Sequence, residues 1–170
     1  MRKTKKLVFA GLCTALGVAL PIAFHAIPNA GGIFLPMHIP VLLCGLLCGP
    51  AYGLACGVLA PLLSAALTGM PPAAVLPSML CELAVYGLVS GLLAGCVHTK
   101  SSAADVYIAL LGAMLAGRAV SGALNALLFR AGAYSLQTWL AASFVTALPG
   151  IAAQLLLIPA LVFALRKARL

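Results

Sequence analysis

Eight of the ten lysines and arginines sit in three places: Arg2, Lys3, Lys5 and Lys6 at the start, Lys100 in the interior, and Arg166, Lys167 and Arg169 at the end. Between these points the chain is almost unbroken apolar sequence. Of its 170 residues 64% are hydrophobic and 7% charged, more apolar surface than a soluble core of this size can hide, so most of the chain has lipid for its solvent. The length suits a single domain, residues 1–170, of six spans with little left over for an aqueous part. Six spans put all eight clustered basic residues on one side, which the positive-inside rule assigns to the cytoplasm; five or seven would divide them. The sequence thus predicts an all-α integral membrane protein of six transmembrane helices, with both basic termini, 1–6 and 166–170, cytoplasmic. The net charge of +8 gathers at the ends and in one loop without forming a patch, so no nucleic-acid partner is expected.

The stretch Gly31–Pro50 is apolar enough for lipid, yet Pro36, Pro40 and Pro50 interrupt it and Gly31 and Gly32 loosen its start. From Pro36 to Cys48 it offers only ~20 Å of straight helix against a hydrocarbon core of ~30 Å. It cannot cross as a simple rod. Backbone groups left unpaired by proline and glycine at membrane depth are tolerated only against protein or a polar cavity. The second helix is therefore expected to be short and proline-broken, folded inward to help build a ligand chamber.

The other spans follow from the apolar runs between turns. Helix one is expected over Leu7–Phe24, a mature helix rather than a signal peptide, since no small-x-small cleavage site with polar residues follows it. Gly11, Ala15 and Ala19 recur along it every fourth residue, a smooth stripe where another helix can approach closely. Spacing leaves open whether that helix belongs to this chain or to a partner. The third span is expected over Ala51–Thr68 with Pro61 inside it, and the fourth over Pro77–Val97 with Glu82 in its outer third. A fifth starts at Asp105, where a carboxylate suits a helix N-terminus, and runs to about Arg130. A long sixth follows Trp139 and ends near Leu165, with Pro149 and Pro159 inside it. Loops near residues 25–36, 69–77 and 131–138 then share the outer side, while the inner turns are a tight Gly49-Pro50 and the short basic loop around Lys100. Such a molecule is closed inside and elaborated outside, as suits one that receives something from outside. The six cysteines all fall in apolar runs without a Cys-x-x-Cys pair; they read as small packing residues, with no disulfide framework.

Polar residues at membrane depth are costly and are functional candidates by default. Arg118 lies near the bilayer middle of the fifth span, and Ser121 and Asn125 follow at i+3 and i+7 on the same helical face. Its guanidinium can fork two hydrogen bonds onto a carboxylate or phosphate. Glu82 is a candidate counter-ion and Gln154 lies at comparable depth. A structural Glu82–Arg118 pair and a ligand-binding role both fit, and the two are compatible. His38 sits in the broken segment, with His25 and Asn29 in the loop before it; no spacing here resembles a metal site. Tyr86, four residues after Glu82 on the same face, is either a chamber wall or, like Trp139 and Tyr134, an interfacial anchor. Trp139 could also stack on a ligand ring. Met37, Met70 and Met79 read as packing or a soft wall.

Taken in order, the small-residue first helix, Phe34-Leu-Pro-Met-His-Ile-Pro-Val41, Gly45-x-x-x-Gly49-Pro50-x-Tyr52-Gly53, Thr68-Gly-Met-Pro-Pro72, Glu82-Leu-Ala-x-Tyr86-Gly87, Gly117-Arg118 with Asn125, and Pro149-Gly150 before Gln154 resemble the S components of energy-coupling factor (ECF) vitamin transporters of bacteria. The resemblance covers essentially the whole chain. It implies a cell-membrane protein that captures a water-soluble vitamin or related micronutrient from outside, using the outer loops and helices four to six. It further implies a T component and two cytoplasmic ATPase subunits as partners, with ATP used by those subunits and no cofactor in this chain. In the family an Ala-x-x-x-Ala of helix one helps dock the T component; the matching positions here are Gly11 and Ala15, with glycine in place of the first alanine. The expected substrate-binding set is Arg118, Asn125, Glu82, Tyr86, Ser121, Gln154, His38 and Asn29, for a ligand with an anionic group, and the expected docking set is Gly11, Ala15 and Ala19.

Two other classes compete with this reading. An intramembrane enzyme would use Glu82 and His38 as an acid–base pair, although helix spacing does not place them together and no hydrolase or metalloprotease motif is present. A structural subunit would need Glu82 and Arg118 paired with no chamber. A binding protein needs convergent polar groups from several helices reached from outside, which the three outer loops favour.

Overall fold

The structure, a computed structural model, describes residues 2–24, 30–129 and 135–168, and among these every regular element is helical. In chain order they are α1 (Lys3–Ala23), α2 (Ala30–Phe34), α3 (His38–Cys48), α4 (Pro50–Thr68), α5 (Leu76–Cys96), α6 (Ser102–Leu124), α7 (Leu136–Leu140) and α8 (Leu148–Lys167). Six stretches are long and apolar enough to cross a membrane, with α2 and α3 together forming the second, Gly31–Cys48. His25, Asn29, Arg130 and Tyr134 lie outside the described residues.

Helix α3 is the axis of the bundle. It packs on α1, α4, α5, α6 and α8, and Val41, Leu42 and Cys44 on it are fully buried. The expected break falls at Leu35–Met37. The right-handed helical region is disfavoured for a residue before proline, and Leu35, before Pro36, takes φ 51°. That conformation costs a non-glycine residue roughly 1–2 kcal/mol. The chain restarts as α3 with the His38 amide donating to the Leu35 carbonyl at 3.1 Å. Pro40 sits in the first turn of α3, where its missing N–H leaves no bond unmade.

In lipid, helices associate by close packing more than by burial of apolar surface. Helices α4 and α5 meet through Gly53 and Gly87, where a Cβ on either would fall on the other's backbone. Gly49, with φ 98°, makes the turn from α3 to α4, a conformation most side chains avoid.

Three elements depart from the sequence reading. Helix α1 begins at Lys3 rather than Leu7, because lysine is a good helix former and its long stem lets the charge reach water. Helix α6 begins at Ser102, and Asp105 in its first turn accepts from the Thr99 amide at 2.7 Å. At its other end α6 widens into a π turn over Asn125–Phe129. The sixth span is not one helix from Trp139 to Leu165. Helix α7 runs into a π turn over Ala141–Thr146, the chain turns at Ala147, and α8 starts anew. Pro149 is thus in the first turn of α8, where proline is favoured, and only Pro159 lies inside.

The basic segments gather at one end of the bundle. Arg166 Nη1 donates to Ser102 Oγ at 3.2 Å, and Cys48 Sγ lies 3.7 Å from the Lys6 carbonyl. This end is less closed than its short turns suggested: a cavity of about 200 Å³ opens there among Leu46, Val97, His98, Asp105 and Arg166.

Candidate functional site

Away from the basic end, the bundle interior carries polar groups that apolar packing does not require. Counted at 1.5 Å per residue from the basic ends of their helices, His38 and Tyr86 lie ~15 Å deep, Gln154 ~20 Å, Glu82 ~21 Å and Arg118 ~24 Å. The five residues come from α3, α5, α6 and α8 and fall within a layer of the bundle ~9 Å thick.

Three of the contacts in this layer are aromatic or ionic. His38 Nε2 lies 3.7 Å from Glu82 Oε1, the one ion-pair contact among the described residues. The His38 ring meets the Tyr86 ring edge-on with centroids 5.2 Å apart. Tyr86 in turn lies against Gly117, where a Cβ would strike its ring. Arg118 is next in sequence, and its guanidinium carbon lies 5.9 Å from the centre of the Phe144 ring.

The α7 segment closes over this part of α6. Trp139 Nε1 donates to the Arg118 carbonyl at 3.2 Å, and its ring packs edge-on against Phe144 with centroids 5.6 Å apart. Asn125 Nδ2 donates to the Ser121 carbonyl at 2.9 Å, so Arg118, Ser121 and Asn125 share one buried face as their spacing predicts. The π turn starts at Asn125, and such widened turns are frequent at functional sites.

Every buried side-chain nitrogen or oxygen without a hydrogen-bond partner, among the described residues, belongs to His38, Tyr86, Arg118 or Gln154. The atoms are His38 Nδ1 and Nε2, the Tyr86 hydroxyl, Arg118 Nε and Nη2, and both amide atoms of Gln154. An unpartnered buried polar group costs about 1–3 kcal/mol, more if charged, so a protein that keeps several in one layer has a use for them. Nε–H and Nη2–H point from the same side of a guanidinium, the fork that grips a carboxylate with two parallel bonds.

Several expectations change here. Glu82 faces His38 and makes no ion pair with Arg118 within 4 Å. Helix spacing could not join His38 to Glu82, because the contact depends on how α3 packs on α5. Tyr86, fully buried, is no interfacial anchor, and Trp139 is occupied by the Arg118 carbonyl and Phe144. Met37 is buried in the core while Met70 is 41% exposed. Phe144 escaped sequence reading altogether: it follows Trp139 by five residues, which matches the wide π turn rather than the α period. All six cysteines are free, and no group of metal-binding side chains occurs among the described residues. On α1 the stripe of Gly11, Ala15 and Ala19 faces away from the bundle, which α1 contacts through Ala10, Cys13 and Gly17.

A comparison with protein families matches residues 5–168 to the family described as "ECF transporter, substrate-specific component". No curated protein and no solved structure matches the chain. Members of this family are membrane-embedded binding subunits that present a small-molecule substrate to a T component and ATPase module, so Glu82 and His38 are not the centre of an enzyme. Matched over nearly its whole length and folded as six helices able to span a membrane, this chain belongs to the substrate-specific S components of ECF transporters.

Proposed function

We propose that the chain captures a water-soluble vitamin or related micronutrient bearing a carboxylate, on the outer side of the cell membrane, for ATP-driven import. The observation that carries this is the unpartnered Nε/Nη2 fork of Arg118, 6% exposed, in the layer that holds every other unpartnered buried side-chain group among the described residues. Arg118 holds the carboxylate, and His38, Tyr86 and Gln154 contact the remainder, with Glu82, Ser121 and Asn125 beside them. The basic end faces the cytoplasm, so the site is reached from the opposite side. The chain carries no cofactor; ATP is spent by two cytoplasmic ATPases coupled through the T component.

The exposed stripe of Gly11, Ala15 and Ala19 is the docking face for the T component, because small residues let a partner helix approach closely. Ala15→Trp separates docking from capture. The variant is expected to lose uptake and co-purification with the T component, while the isolated protein keeps a co-purified small molecule detectable by native mass spectrometry. Normal uptake by the variant would remove α1 as the docking face. Uptake by the wild-type chain without T component and ATPases would contradict the energised-import reading.

A further inference from the structure

Gln154 is fully buried on α8, in the same layer as Arg118, and neither its Nε2 nor its Oε1 has a partner. A lone hydroxyl or ether oxygen on a ligand satisfies one of these atoms and leaves the other desolvated. A group with an N–H and a C=O side by side, as in an amide, a lactam or a ureide, satisfies both at once. The Tyr86 hydroxyl, also fully buried and unpartnered, offers a further neutral contact.

Charge narrows the class again. Among the described residues the ionisable groups of the layer are Arg118, Glu82, His38 and the Tyr86 phenol, and Glu82 has His38 at 3.7 Å. With His38 protonated, that pair cancels and Arg118 leaves a single positive charge. With His38 neutral, the Glu82 carboxylate remains and the layer tolerates still less negative charge. In both states a doubly charged phosphate ester brings like charge into a buried layer that already contains a carboxylate. We infer that the ligand is a singly charged carboxylate carrying a neutral amide-type group, and that phosphate esters are rejected. This rests on the reading of Arg118 as the carboxylate holder and adds what lies at the ligand's other end.

The test uses the purified full chain, with Trp139 fluorescence as readout, since the only tryptophan in the sequence bonds the Arg118 carbonyl. Pantothenate and biotin serve as carboxylates with an amide or ureide, nicotinate and lipoate as carboxylates without one, and pyridoxal phosphate and flavin mononucleotide as phosphate esters. A carboxylate–amide probe should bind most tightly. Gln154→Met, which keeps the volume and removes both polar atoms, should weaken that probe by about 30-fold, the worth of two neutral hydrogen bonds. The same variant should leave the melting temperature of the ligand-free protein unchanged or raised, because it removes unsatisfied groups.

Tightest binding by a phosphate ester, or by a carboxylate without an amide, overturns the inference, as does full affinity in Gln154→Met. If no probe binds, native mass spectrometry of the preparation decides: a co-purified molecule containing phosphorus or lacking nitrogen also overturns it. A preparation that binds no probe and carries no small molecule instead overturns the capture function itself.

Discussion

Replacing Arg118 by lysine keeps the charge and the position over Phe144 but exchanges a planar fork for a point donor. In the structure Nε and Nη2 are buried without partners, so the substitution breaks no hydrogen bond of those atoms within the fold. The bound state is where the loss falls. A hydrogen bond to a charged group contributes about 1.5–3 kcal/mol; losing one of a parallel pair should cost about 2 kcal/mol, or about 30-fold in Kd. Isothermal titration of wild-type and Arg118→Lys protein with the ligand identified by mass spectrometry measures this, alongside melting temperature in the same detergent. An affinity within about 3-fold of wild type, the scale of ~0.6 kcal/mol, would refute the carboxylate grip. Joint loss of affinity and folding would also refute it, leaving Arg118 a structural role.

The bundle makes two further predictions. Lys100→Cys and Ala168→Cys, each in a cysteine-free background, should be labelled by a membrane-impermeant thiol reagent only from the cytoplasmic side; labelling of either in intact cells removes the orientation on which an outward-facing site depends. Gly87→Ala puts a methyl group onto the Gly53 backbone and should destabilise the protein by about 1–3 kcal/mol, seen as a lower melting temperature, while an unchanged value would show that α4 and α5 can part without cost.

Apolar runs punctuated by glycine and proline were enough to place six spans, because lipid allows few ways to satisfy a backbone; the first five end within a few residues of the reading, but the last helix starts at Leu148 rather than near Trp139. The break in the second span was equally plain: Pro36, with Gly31, Gly32 and Pro40 close by, disfavours a helical Leu35. Arg118, Ser121 and Asn125 could be placed on one face from spacing alone, since a single helix fixes that geometry. The contact of His38 with Glu82 could not, nor could the separation of Glu82 from Arg118. Each depends on the rotation and depth at which α3, α5 and α6 pack, set by close approaches such as Gly53 to Gly87. The Trp139–Phe144 pair was hidden for a different reason, as it needs a π turn that the α period does not describe. The direction of the Gly11, Ala15 and Ala19 stripe was likewise a tertiary matter: a helix in lipid has no polar face to betray its outside, and only the packing of Ala10, Cys13 and Gly17 turns the stripe outward.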